Sequence, residues 1–163
     1  IPIGVSQNDS NPMGGQLLGR TSWGPSIAVD SNDRPWVAWA EALSNPSSDG
    51  RIQWARWEGT NWSSPQTIST LSTGNTEPVL AMSTGTPHIL AWSGITGAER
   101  SVFVSRWVSG DWQPIAEPLN ALTTTGTPAS KPSVAMSSNG HPLVAWLEED
   151  ATAASIHISQ LNN

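Results

Sequence analysis

Pro25-Ser26-Ile27-Ala28-Val29-Asp30, with Val37-Ala38-Trp39 behind it, recurs as Pro78-Val79-Leu80-Ala81-Met82-Ser83 with Leu90-Ala91-Trp92. It recurs again as Pro132-Ser133-Val134-Ala135-Met136-Ser137 with Val144-Ala145-Trp146. In each copy Trp stands 14 residues after Pro, and the Pro-to-Pro steps are 53 and 54 residues. Between the two apolar runs lie short polar stretches: Asp30-Ser31-Asn32-Asp33, Ser83-Thr84-Gly85-Thr86 and Ser137-Ser138-Asn139-Gly140. Two apolar runs around a turn-forming stretch make a β-hairpin, here three times over.

A second hairpin follows in the first two copies. Ile52-Gln53-Trp54-Ala55-Arg56-Trp57 leads to Trp62 through Glu58-Gly59-Thr60-Asn61, and Val102-Phe103-Val104-Ser105-Arg106-Trp107 leads to Trp112 through Val108-Ser109-Gly110-Asp111. The third copy supplies only Ile156-His157-Ile158-Ser159-Gln160-Leu161 before the chain ends. Ile1-Pro2-Ile3-Gly4-Val5 resembles the fourth-strand segments Pro65–Ile68 and Pro114–Ala116, so the missing strand is expected at the opposite terminus.

The expected fold is therefore all-β: a β-propeller of four-stranded antiparallel blades, three per chain. Residues 1–24 form a closing fourth strand and loop, 25–77 the first blade, 78–131 the second, and 132–163 a third blade lacking its fourth strand. Three blades are too few to close a ring. The expected solution is a six-bladed homodimer in which each N-terminal strand completes the partner's last blade and removes its exposed edge. An open three-unit solenoid and half of a longer natural chain are the alternatives.

Composition agrees with many short strands and turns, with 14 Gly, 13 Pro and only 12% charged residues in 163. Ten Trp against one Phe and no Tyr supply large apolar surfaces that serve equally as core and as sugar-stacking platforms. A net charge of −6 with seven Lys and Arg argues against nucleic acid and against an anionic membrane surface. No apolar run approaches spanning length, and membrane insertion is not expected. The absence of Cys excludes a disulfide framework and a thiolate site. A start at Ile1 without a leader fits a processed secreted protein, a tag-cleaved chain or an excised fragment.

Residues 25–39 and the later stretch from Ile52 to Pro65 resemble the sialidase-like (BNR-type) propeller repeats of bacterial surface and secreted proteins. That resemblance implies the architecture and an extracellular or cell-surface location, in a superfamily that includes glycosidases, lectins and scaffolds. The chain departs from the enzymes. They use a Tyr nucleophile and three substrate-clamping arginines, whereas this chain has no Tyr and one obvious repeated Arg, Arg56/Arg106. Ser47-Ser48-Asp49-Gly50-Arg51-Ile52-Gln53-Trp54 only approximates the family's Asp box. The Trp57–Trp62 hairpin is also similar to that of small oligomeric propeller lectins.

Trp39, Trp92 and Trp146 are expected in the blade-to-blade core. Trp23, Trp36, Trp62 and Trp112 stand near loops or turns and are expected to be exposed binding residues, joined by Arg56 and Arg106, which can add hydrogen bonds beside an indole. Glu41, Asp49, Glu99, Glu148, Glu149 and Asp150 are read as lying in connections between second and third strands, with Glu41 and Glu148 the first candidates at the ring mouth. The bland alternative for these is solvated loops. His88, His141 and His157 lack ligand spacing, so no metal and no cofactor is expected. No Gly-x-Ser-x-Gly elbow marks a nucleophile. The function expected is a non-enzymatic, multivalent carbohydrate-binding module with glycans and itself as partners; a structural or interaction scaffold, or a glycosidase remnant, are the other readings.

Overall fold

The computed structural model describes residues 21–42, 49–68, 72–83, 88–115, 117–121 and 127–161. Among the described residues, three antiparallel sheets follow one another along the chain. The first holds β1 (Thr21–Val29), β2 (Pro35–Ala42), β3 (Arg51–Arg56) and β4 (Gln66–Thr67) in chain order. The second holds β5 (Thr73–Ala81), β6 (Ile89–Thr96), β7 (Glu99–Val108) and β8 (Asp111–Pro114). The third contains β9 (Ala129–Met136), β10 (Pro142–Glu149) and β11 (Ala154–Gln160). These are blade-like meanders, as the repeat predicts. The closing strand expected at Ile1–Val5 lies outside the described residues.

The first and third of the repeated hairpin turns form where their polar stretches stand. Asp30 Oδ1 accepts the amides of Asn32 (2.8 Å) and Arg34 (3.1 Å), an Asp-nucleated turn. Ser137, at the same repeat position, accepts the His141 amide at 2.9 Å and donates to the His141 carbonyl at 2.8 Å. Different side chains close the same turn.

First strands face first strands across the blades, β1 against β5 and β5 against β9. The repeated Pro does not open this inner strand but sits inside it, at a bulge. Register slips between Trp23 and Ser26 in β1 and between Thr76 and Val79 in β5. The ladder of β9 slips at the corresponding place, opposite Ala145 and Leu147. The residue before each Pro, Gly24, Glu77 or Lys131, has φ of 61°, 55° and 50°. A left-handed backbone costs nothing unusual for Gly but about 1–2 kcal/mol for Glu or Lys.

Among the described residues, two apolar cores lie between the sheets. Between the first and second pack Trp36, Ala38, Ala40, Ile52 and Trp54 against Leu80, Leu90, Trp92 and Trp112. Between the second and third pack Ile89, Ala91, Val102 and Val104 against Ala129, Val144 and Trp146. Trp39, Trp92 and Trp146 are all buried; Trp92 and Trp146 lie in these two cores, as expected of them, whereas Trp39 belongs to neither.

Candidate functional site

The inner edge brings polar and aromatic groups into one row. The bulge turns Trp23 so that its indole N–H donates to Thr76 Oγ1 at 2.7 Å in the next blade. Ser26 Oγ accepts the Leu80 amide at 3.0 Å, tying the same two strands. Gly24 lies against Glu77 and Pro78, where a Cβ would meet them in ordinary contact. At the second junction Val79 replaces Ser26 in the repeat, and Glu77 Oε2 instead accepts the Lys131 amide at 2.8 Å. Trp23 and Glu77 stay partly open to solvent and Lys131 is exposed. An indole packed against the first core, a carboxylate and an ammonium thus follow one another along β1, β5 and β9, and the two charged groups are of a kind that hydrogen-bonds sugar hydroxyls.

Of the residues singled out in the sequence, Trp23 belongs to this row. Glu77 and Lys131 were missed. Their only signal is that the residue before the repeated Pro changes from Gly to Glu to Lys while the Pro stays; nothing local announces a left-handed φ for such side chains.

The exposure expected of Trp36 and Trp112 is overturned, since they retain 2% and 5% of their surface. Trp36 stacks on Trp54 with ring centroids 5.2 Å apart and an interplanar angle of 15°, and Trp107 and Trp112 meet that pair edge-on. Adjacency to a turn did not expose them because the neighbouring blade covers the strand ends. Arg56 closes the cluster, its guanidinium carbon 5.4 Å from the Trp36 ring centroid while it pairs with Glu58 at 3.4 Å. Arg106 is half-buried on β7, opposite Ile89 and Gln113. Trp62 is half-buried against Trp57, edge-to-face at 5.9 Å. Trp36 and Arg56 sit at the opposite end of β2 and β3 from Glu41, Arg106 sits at the opposite end of its blade from Gly94, and Glu148 lies on β10 of the third blade, so the structure does not gather the expected residues into one site.

Two charged groups adjoin the tryptophan cluster. Burial works to raise the Asp30 carboxyl, but the Trp36 indole at 3.1 Å, the Asn32 and Arg34 amides and the Arg34 guanidinium outweigh it and hold its pKa below the ordinary value. His88 packs edge-on against Trp36 at 4.9 Å, where burial lowers its pKa despite the Asp30 charge.

The carboxylates also move. Glu41 lies in β2 and Glu148 and Glu149 in β10, not in connecting loops, because the strands run further than the Ala-Trp pairs suggested; Glu99 opens β7. Glu41 is buried opposite Arg51, and Glu148 is 1% exposed. Glu148 Oε1 accepts the Trp146 indole N–H at 2.7 Å and the Ala121 amide. Glu41, Gly94 and Glu148 share one repeat position. In the second blade Asn75 Oδ1 occupies that space and accepts the Trp92 indole at 3.1 Å. Among the described residues no group of three His, Cys, Asp or Glu is placed to hold a metal ion.

No family model matches the chain, and no curated protein does. Solved structures do. The chain resembles an endo-arabinase from Bacteroides thetaiotaomicron VPI-5482 (TM-score 0.58, 16% identity, 89% of this chain and 57% of that one). It resembles an α-L-arabinanase from Penicillium chrysogenum complexed with arabinobiose (0.64, 14%, 87% and 46%) and a Hadza microbial sialidase (0.58, 13%, 86% and 32%). The chain spans about half the length of the two arabinan-named proteins and a third of the sialidase. At this identity the likeness establishes the propeller-type fold, and with it the architectural part of the sialidase-like resemblance.

Proposed function

We propose that the chain is a carbohydrate-binding propeller module that holds its ligand at the inner edge and does not hydrolyse it. The observation that carries this reading is the row Trp23, Glu77 and Lys131. There the backbone accepts a left-handed conformation at two non-glycine residues, Glu77 and Lys131, whose first-blade counterpart is Gly24, and Trp23 stands one residue before that glycine. Strain retained at such positions is a pointer to function. The glycosidase names of the structures it resembles agree with a saccharide as ligand class.

Binding without hydrolysis is supported by the fate of the carboxylates. Glu148 is committed to an indole inside the fold, its second-blade counterpart is Gly94, and Glu41 occupies the same buried repeat position. A catalytic acid and base both need access to a glycosidic oxygen or a water.

The test is titration calorimetry with arabino- and sialyl-oligosaccharides, together with a reducing-end assay. Binding with Kd of about 0.1–1 mM is expected, weakened at least about tenfold in Glu77→Gln and Lys131→Met, with no reducing ends released. Unchanged circular dichroism separates loss of binding from loss of fold. Failure of every oligosaccharide to bind, or steady hydrolysis, overturns the proposal.

A further inference from the structure

The two ends of the stack expose apolar faces that the repeat itself explains. Ile27 and Val29 are 59% and 53% exposed on the first blade. Their counterparts at the same repeat positions are Leu80 and Met82, then Val134 and Met136. Leu80 and Met82 pack into the core against the first blade, and Val134 and Met136 into the core against the second. This position faces the preceding blade wherever one exists.

The opposite end behaves in the same way. Ile156 and Ile158 are 68% and 71% exposed on β11. Their counterparts are Val102 and Val104 in the second blade and Ile52 and Trp54 in the first, all buried against the blade that follows. Neighbouring third-blade residues with side chains on the same face as Ile156 and Ile158 include Leu143, Ala145 and Leu147, only partly buried. Large aliphatic side chains left this open are unusual in a monomer, whereas within the chain the same positions are twice covered by a blade of the same kind.

We infer that a second copy of this chain covers both faces, the Ile156–Ile158 face of each docking on the Ile27–Val29 face of the other, so that two chains close six blades. The occupant follows from the chain's own junctions. Each face is one half of an interface already formed twice inside the molecule, and each chain carries both halves. A two-fold pair satisfies both at once in an isologous interface that closes instead of propagating. The association holds whatever the ring binds.

The experiment is light scattering on a sizing column for wild type, Ile27→Glu and Ile158→Glu. The expected result is twice the 17.3 kDa chain mass for wild type and the single-chain mass for both variants. Both substitutions fall on side chains exposed in the single chain, so circular dichroism and the melting of the isolated protomer should persist. A monomeric wild type overturns the inference and assigns the faces to blades of a longer chain. Masses above two copies indicate an open filament and also overturn it. Dissociation by only one of the two variants means a pair built on one face alone, which contradicts the docking scheme.

Discussion

Glu148 Oε1 accepts the indole N–H of Trp146 at 2.7 Å from two residues further along the same strand. Both side chains are buried, so the carboxylate is a fixed internal acceptor that keeps a core indole from being an unpaired donor. The Ala121 amide shares the same oxygen, and His157 stacks on the Trp146 ring at 5.7 Å.

Glu148→Ala strands both donors and leaves a cavity. It should cost about 2–4 kcal/mol and lower the melting temperature by about 5–12 °C. Glu148→Gln keeps an acceptor and should lose less than half of that. Differential scanning calorimetry separates the two; equal losses would mean that charge, and not acceptance, is what the site needs.

At the equivalent place in the second blade, a methyl on Gly94 would collide with Asn75 Oδ1 and the Ser72 side chain. Gly94→Ala should therefore destabilise by about 1–3 kcal/mol. The Asn75→Ala/Gly94→Ala double variant should be more stable than the sum of the two single losses, because removing Asn75 removes the collision. Urea denaturation of the cycle gives the coupling; strict additivity would refute the shared space.

Lys131→Gly relieves a left-handed φ at a position whose side chain is exposed, and should stabilise the fold by about 1 kcal/mol. Glu77→Gly should gain less, because the Lys131 amide loses its acceptor. If the proposed ligand site is right, both gains come with weaker saccharide binding, read by the same calorimetry.

Acid should weaken the first junction in two windows. His88 has a lowered folded pKa, so below its ordinary 6.5 the unfolded chain binds the extra proton first and stability falls as pH falls. Asp30 is also lowered, so its contribution is complete above its ordinary 3.8 and is lost as pH drops through the folded value. His88→Gln should flatten the stability profile near and below pH 6.5, and Asp30→Asn should flatten it below pH 3.8; denaturation midpoints across pH read both.

Much of the fold was legible because hairpins and repeats are local. Turn residues such as Asp30 and Ser137 state where a strand reverses, and the recurrence of Ala-Trp marks equivalent strands without any knowledge of the neighbours. The site was less legible. Trp36 and Trp112 look like turn-flanking, open residues, yet a blade buries both of its faces, so the alternation that normally labels a solvent side carries no such label here. Glu41 and Glu148 read as loop carboxylates because strand length is set by pairing with β3 and β11, which lie further along the chain.

What the sequence by itself determined is the unit: its 53- and 54-residue steps, its hairpins, its strand order and the burial of Trp39, Trp92 and Trp146. What only the tertiary structure decided is which face of each unit meets a neighbour, and hence that Ile27 and Ile158 are open while Leu80 and Val104 are covered. It also decided that the residues before the repeated Pro sit at a bulge in a left-handed conformation. Propensity and pattern act within a strand or a turn, whereas those outcomes depend on contacts some fifty residues away, where a whole blade's packing outweighs the preference of any single residue.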